Sequence, residues 1–358
     1  MSGFLLAVSR LKVLRDCLTL PELNDIYSND AVLRQRLYGR HITSLDPVNR
    51  NAREMSRIKK IMVASDLSQR AEYALSRSML LADELDADLE ALHVVPICGP
   101  EGSFGPPLSA GSEPLVSQSI EVARQELDRQ ATALSGKGSV KINISIEAGK
   151  DFITIIRHAR KIHADLIIIG AHGEGFIKEV FLGTIAEKII RKGDRPILVV
   201  KKPPEAPYRR VLVPVDFSEA CLDGFKHALL LAPDASFHIF HAYQIGGEKR
   251  AGISGTKKDI IAPYHEMAAE YAHEQIRLLL RKFGLESRGF EQSVEHGQAA
   301  SQILKKALQW GADLVAIGTL GRTGLPHILL GSVAEHVLRR AECDVLTGRP
   351  EVFLFEPV

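Results

Sequence analysis

The apolar positions of this chain alternate between short runs suited to strands and longer stretches of helical spacing, and the alternation occurs twice. Residues 58–82, "IKKIMVASDLSQRAEYALSRSMLLA", overlay residues 208–232, "YRRVLVPVDFSEACLDGFKHALLLA". Each predicts an apolar strand, an Asp at its tip, a Ser able to cap, and a helix with apolar residues three and four apart. "LEALHVV" and "FHIFHAY" follow as second strands. Polar, Gly/Pro/Ser-rich loops are predicted over 96–113 and 244–262, then helices over about 115–135 and 264–283. "VKINISIEAG" and "RGFEQSVEHG" alternate as third strands, and "ITIIRHARKIHA" and "ASQILKKALQWGA" carry apolar helical faces. "DLIIIG" and "DLVAIG" are continuous apolar runs, the pattern of a strand buried on both sides in a parallel sheet. A short helix and a fifth strand, "PILVV" or "DVLTG", close each half.

This is an internal repeat of strand–helix units, and it predicts two doubly wound α/β domains, each with a parallel five-stranded sheet. The expected boundaries are 55–202 and 207–350, joined by "KKPPEAPY" (201–208), whose prolines suit a semi-rigid linker. Residues 1–54 have no counterpart in the repeat and are expected to be either a dispensable extension, ordered only in pieces, or an upstream reading of a true start at Met55.

Composition narrows the function. With 45% hydrophobic and 25% charged residues and a net charge of +1, no basic field points to nucleic acid and no charge bias to a membrane surface. The longest apolar runs are too short to span a bilayer, and the amino terminus is a poor secretory signal. Cys17, Cys98, Cys221 and Cys343 are scattered without a CxxC pair, as expected of reduced thiols in a cytoplasmic protein. There is no HExxH, and His238 and His241 fall on opposite faces of one strand, so no metal centre is expected.

The candidate chemistry lies where each fourth strand ends. "GAHGEGFIKEVFLGT" places Gly170, Gly173 and Gly183 before Thr184, and "GTLGRTGLPHILLGS" repeats the frame as Gly318, Gly321, Gly331 and Ser332. Ligands of doubly wound sheets bind beyond the carboxyl ends of the strands, where the strand order reverses. Glycines there can turn sharply and bring backbone N–H groups close to an anion, and the following helix N-terminus favours phosphate. A structural reading competes for the hydroxyls, because "TIAE" and "SVAE" both have the form of capping boxes, with Glu187 or Glu335 reaching back. Asp66 and Asp216 end the first strands, as helix caps or as acceptors for a sugar or base, with Ser68 and Ser218 also available as caps. Val94 and Ala242 end the second strands, as an apolar wall for a base or simply as core.

With these motifs, residues 57–349 resemble the universal stress protein family in tandem, and the complete glycine frame resembles its ATP-binding members. The resemblance implies strand order 3-2-1-4-5 in each half and ATP as the ligand, with Mg²⁺ accompanying it. In the first half it implies Ala64, Asp66 and Val94 near the adenosine, and Gly170, Gly173, Gly183, Thr184 and Ile185 around the phosphates. In the second half the matching positions are Pro214, Asp216 and Ala242, then Gly318, Gly321, Arg322, Gly331, Ser332 and Val333. Pairing through the fifth strands is also implied, inside the chain or between copies. The halves depart from each other where Ala64 faces Pro214 in the overlay and Glu174 faces Arg322. No GxxxxGK[ST] occurs and no general base is clearly placed, so the expected role is action through a nucleotide-bound state. Slow ATP hydrolysis or autophosphorylation, and a nucleotide-independent interaction module, are the alternatives.

Overall fold

The structure, a computed structural model, describes residues 57–96, 113–134, 140–171, 182–245, 258–319 and 330–348. The expected extension 1–54 lies outside them. The first half runs β1 (Lys60–Ser65), α1 (Gln69–Leu85), β2 (Asp88–Pro96), α2 (Glu113–Leu134), β3 (Ile142–Gly149), α3 (Asp151–Lys161), β4 (Leu166–Gly170), α4 (Thr184–Lys192) and β5 (Ile197–Val200). The second repeats it as β6 (Arg210–Pro214), α5 (Glu219–Leu231), β7 (Ser236–Tyr243), α6 (Lys258–Lys282), β8 (Glu291–His296), α7 (Ala299–Trp310), β9 (Leu314–Gly318), α8 (Ser332–Arg340) and β10 (Asp344–Gly348). Helix α6 starts six residues earlier than expected, inside a stretch whose polar residues and Pro263 read as loop.

Each half has the order 3-2-1-4-5, and the two five-stranded sheets expected from the repeat join edge to edge through their fifth strands, the pairing inside the chain that the resemblance implies. The ten strands follow the order β3-β2-β1-β4-β5-β10-β9-β6-β7-β8. All neighbours are parallel except β5 and β10, which pair antiparallel through Val199–Val345, Leu198–Leu346 and Ile197–Thr347. Both edges of each fifth strand are thus used within the chain, which leaves a homodimer through those strands no edge to pair with; the outer edges of the sheet are β3 and β8.

The period of two in the strands explains why this sheet is covered on both sides. In β4, Leu166 and Ile168 enter one core layer and Ile167 and Ile169 the other; in β5, Leu198 and Val200 alternate with Ile197 and Val199 in the same way. Residues of α1, α2, α5 and α6 fill the first layer, and residues of α3, α4, α7 and α8 fill the second. Helix α1 shows the matching helical period: Ala71, Ala74, Leu75, Ser78, Leu81, Ala82 and Leu85 are buried on one stripe.

A buried polar group seals the junction. Asp344, 3% exposed at the start of β10, accepts hydrogen bonds from the Lys201 backbone N–H (2.8 Å) and the Tyr208 hydroxyl (2.6 Å). The Arg77 guanidinium from α1 lies 3.5 Å from the same carboxylate, 4.1 Å from the Tyr208 ring centre, and donates to the Ala206 carbonyl at 2.7 Å. Burial pushes the Asp344 carboxyl above its ordinary range, while the Tyr208 hydroxyl pulls it back. Lys201 donates to the Ala341 carbonyl at 2.6 Å, and burial lowers its ammonium to about 8. The linker is therefore fastened to both halves. On the opposite layer, Glu187 and Arg191 of α4 meet Glu335 and Arg339 of α8 at 3.1 Å (Arg339–Glu187) and 3.6 Å (Arg191–Glu335). These half-exposed pairs are each worth only about 0.2–1 kcal/mol.

One cooperative unfolding transition is expected for both halves, followed by near- and far-ultraviolet circular dichroism in urea. Tyr208→Phe should lower stability by about 1–2 kcal/mol. Asp344→Ala, which strands Arg77 in the interior, should cost about 3–5 kcal/mol. Two separate transitions in the unaltered protein would show that the junction does not couple the halves.

Candidate functional site

The carboxyl ends of β1 and β4 diverge at the switch point, and the local turn there is the same in both halves. Asp66 Oδ1 accepts from the Ser68 backbone N–H (3.1 Å) and hydroxyl (2.6 Å); Asp216 Oδ1 accepts from Ser218 at 3.0 and 2.5 Å. The residue between is left-handed in each case, Leu67 at φ 65° and Phe217 at φ 63°. Such a conformation costs a bulky L-residue about 1–2 kcal/mol, and it turns the chain off the strand into the helix within two residues. The aspartates are not the helix caps. Ser68 is the N-cap of α1, accepting from the Ala71 N–H at 3.3 Å, and Ser218 occupies the same place before α5.

Two histidines that read only as strand residues hold this turn from the side. His93 Nδ1 lies 2.8 Å from the Ser65 carbonyl and His241 Nδ1 lies 2.7 Å from the Val215 carbonyl. A carbonyl only accepts, so Nδ1 carries the proton in both rings. Their equivalence was visible in the overlay of "LHVV" on "FHAY"; their role depends on where the neighbouring strand ends.

The glycines do different work from the sharp turns expected of them. Among the described residues, positive-φ glycines are Gly284, Gly297 and Gly311, none of them in the frame. A Cβ on Gly170 would sit 3.1 Å from the Arg70 carbonyl, so this glycine lets the tip of β4 approach the first turn of α1. Gly183 and Gly331 are N-caps with nearly identical backbone, φ −58° and ψ 146° against φ −59° and ψ 141°. Their N–H groups donate to Ala171 and Thr319 at 2.9 Å, closing the base of the excursion that follows each fourth strand. Gly173, Gly321 and Arg322, with Glu174, lie outside the described residues.

The capping-box reading is overturned. Thr184 and Ser332 are the first helical residues, no side-chain cap bond is made, and Glu187 and Glu335 instead bind the arginines between α4 and α8. Glu187 N–H and Glu335 N–H make the first helical bonds, to Gly183 and Gly331 at 2.9 Å. The N–H groups of Thr184, Ile185 and Ala186, and of Ser332, Val333 and Ala334, are those that helical geometry leaves without intrahelical partners.

In the first half these features surround a cavity of about 490 Å³. Its wall includes Ala64, Asp66, Val94, Gly170, Gly183, Thr184 and Ile185, so all the expected residues of this half that are described come together. Ser65, His93, Pro96, Asp151 and Ile155 also line it and were not singled out from sequence. Its lining is apolar at Leu92, Val94, Pro96 and Ile155, and it reaches the first turn of α4 at Thr184, Ile185 and Ala186. Such a space has the size, apolar lining and convergent polar groups of a small-molecule site.

In the second half Pro214, Asp216, Ala242, Gly318, Gly331, Ser332 and Val333 occupy the repeat-equivalent places on β6, β7, β9 and α8. Pro214 changes the switch point. Val215 N–H bonds Phe240 of β7 at 2.8 Å, so position 214 faces β9, where proline has no donor. The β6–β9 ladder accordingly ends at Leu212–Val315, whereas β1–β4 continues to Ala64–Ile169.

The α3 and α7 walls are anchored by different charges. His158 sits between Glu147 (2.7 Å) and Glu90 (2.6 Å) in the first half. In the second, Lys306 takes its place against Glu295 at 2.6 Å, and His238 bonds Ser293 at 2.7 Å. Burial, then the Lys306 charge, lowers the His238 imidazole below its ordinary value. No group of three or more His, Cys, Asp and Glu able to hold a metal occurs among the described residues. No helix among them is long and apolar enough to cross a membrane. Burial pushes the Cys221 and Cys343 thiols up to about 12, so neither is a thiolate nucleophile near neutral pH.

A family model described as the universal stress protein family matches residues 57–201 and 207–349. The universal stress protein E homolog of Haemophilus influenzae is 23% identical over 309 residues, covering 82% of this chain and 98% of that protein. A universal stress protein of Methanocaldococcus jannaschii is 31% identical over 140 residues, 39% of this chain and 81% of its own. The crystal structure of a universal stress protein from Archaeoglobus fulgidus shares the fold at TM-score 0.58 and 19% identity, covering 81% of this chain and 98% of that one.

Gly170→Ala should destabilise the protein by about 1–3 kcal/mol, since the methyl group meets backbone rather than a flexible side chain. Gly289→Ala, where a Cβ would meet nothing within 4 Å, is the control and should be close to neutral in urea denaturation. A second expectation concerns pH. The unfolded chain takes up a proton on His238 near pH 6.5 while the folded protein resists it, so stability from this site is complete above 6.5 and is lost as pH falls below it. His238→Gln should flatten the fall in melting temperature between about pH 7 and 5; an unchanged pH profile would remove His238 as the cause.

Proposed function

This chain belongs to the universal stress protein family, and on that footing we propose that it is an ATP-binding stress-response protein acting in the cytoplasm through its nucleotide-bound state. The observation that carries the reading is the cavity at the β1–β4 switch point, whose lining combines the first turn of a helix with an apolar wall. Triphosphate would lie against the N–H groups of Thr184, Ile185 and Ala186, where the helix dipole favours anions. The adenosine would lie between Asp66 and Val94. Mg²⁺ would enter with the phosphates, which supply the oxygen ligands that it prefers. The second half would hold a second nucleotide at Asp216, Ala242, Gly331 and Ser332.

The chain's own residues account for binding and orientation. Asp66 already has one oxygen committed to Ser68, which fixes the carboxylate plane and leaves it an acceptor, suited to hydroxyl or amino donors rather than phosphate. His93 keeps the strand tip from moving, because its ring ties β2 to the carbonyl preceding Asp66. The Glu187–Arg339 and Arg191–Glu335 pairs hold α4 beside α8, so both phosphate-facing helix ends are set on one rigid layer.

Purified apo protein is expected to bind ATP in the presence of Mg²⁺ with two sites per chain by calorimetry, and to melt at higher temperature with it. At a hundredfold excess over Kd the stabilisation is about 2.7 kcal/mol per site. Gly183→Val and Gly331→Val should each remove one site; the backbone at both positions is one that any residue adopts, and an unchanged circular dichroism spectrum of each variant checks that the fold is kept. No heat and no thermal shift with millimolar ATP would overturn the reading.

A further inference from the structure

We propose that Asp151 reads the base in the first-half site, accepting a hydrogen bond from the exocyclic amine of adenine, and that the second half lacks this selection. The inference rests on the nucleotide reading above. Asp151 is the first residue of α3 and lines the same cavity as Asp66. Among the described residues its carboxylate has no hydrogen bond or ion pair, whereas the Asp66 carboxylate is tied to Ser68.

The strand order assigns its role. Across the cavity the sheet runs β4, β1, β2, β3, so α4 with its phosphate-facing N–H groups lies at one end. Asp66 on the tip of β1 comes next, then Val94 and Pro96 of β2; Gly149 of β3 pairs with Pro96, so Asp151, two residues on, starts α3 at this end, while the body of α3 packs back against α4 through Phe152 and Lys188. A nucleotide with its phosphates on α4 puts its base furthest from them, against Val94, Pro96 and Ile155. A carboxylate beside those residues repels phosphate and can only accept, so its partner is a donor on the base edge.

The repeat supplies the comparison. Ala299 is the first residue of α7, the position of Asp151, and its methyl group accepts nothing. Helix α7 forms with no acidic residue in its first turn, so an Asp is not needed there to start the helix. The two sites thus share the glycine-capped helix end and differ in the first residue of the helix at the base end.

The test uses the full chain carrying Gly331→Val, which leaves the first site, titrated with ATP, with the triphosphate of purine riboside lacking the 6-amino group, and with 2′-deoxy-ATP. ATP should bind at least about tenfold more tightly than the amine-free analogue, because a site built around a donor rejects a ligand without it. Asp151→Ala should bring that ratio close to one, and Asp151→Asn, which keeps a carbonyl acceptor, should retain part of it. The ratio of ATP to the deoxy analogue should be the same with Asp151 and with Asp151→Ala, since the sugar is left to Asp66. In the Gly183→Val chain, which leaves the second site, the ratio should be near one and should rise when Ala299→Asp is added. An Asp151→Ala protein that binds ATP with an undiminished ratio overturns the inference, and so does an Asp151→Ala protein that loses a preference for ATP over 2′-deoxy-ATP, which would give Asp151 to the sugar. A lowered melting temperature with an unchanged ratio would leave Asp151 only a helix-end role. A protein that binds none of the three ligands refutes the nucleotide reading itself.

Discussion

The architecture depends on the antiparallel seam between β5 and β10. Three residue pairs would hold two sheets weakly, and the seam is reinforced in two ways. Leu198, Val200, Tyr208 and Leu346 lie in one core layer and Ile197, Val199 and Val345 in the other, so both hydrophobic layers pass through it without a break. Asp344 then extends the ladder with its side chain, taking the Lys201 N–H that a further backbone carbonyl would otherwise have received. A buried carboxylate is costly unless its oxygens are satisfied. Here Tyr208 and Arg77 come from the linker and from α1, so the charge is stable only when linker, first half and second half are all in place.

That seam also brings α4 and α8 side by side, and each of these helices begins at a glycine cap facing a candidate phosphate position. The acidic residues that looked like capping-box partners are used between the helices instead. Gly183 and Gly331 take the cap position, and a glycine has no hydroxyl with which a box could close. Thr184 and Ser332 are consequently exposed at the helix ends rather than turned inward.

The halves keep the same backbone devices while their side chains diverge. The left-handed residue after the strand-tip Asp, the Asp–Ser bonds and the His–carbonyl bond recur within a few tenths of an ångström. Around them Ala64 is exchanged for Pro214, Asp151 for Ala299 and His158 for Lys306. Each exchange changes the local chemistry: a ladder donor is lost, a carboxylate is lost, and an imidazole between two glutamates becomes an ammonium beside one.

The sequence by itself determined the repeat, the element order, the parallel sheet and the residues that gather around the first-half cavity at the switch point. Periodicities of two and of three to four are local consequences of backbone geometry, and a glycine frame after an apolar strand is legible without its surroundings. The aspartates, Val94 and Gly183 could be named because strand ends in a doubly wound sheet are where ligands bind. Only the tertiary structure decided which partner each polar side chain takes. Glu187 pairs with Arg191 four residues on, as its helix spacing allows, but the second arginine that it meets lies 152 positions away in α8. His93, Arg77 and Asp151 carry no local signal either, since a carbonyl across a strand, a carboxylate across the seam and a cavity beyond β2 exist only once distant segments pack. The fusion of two sheets into one was likewise beyond local pattern, because an apolar fifth strand is equally satisfied by a partner in its own chain or in another.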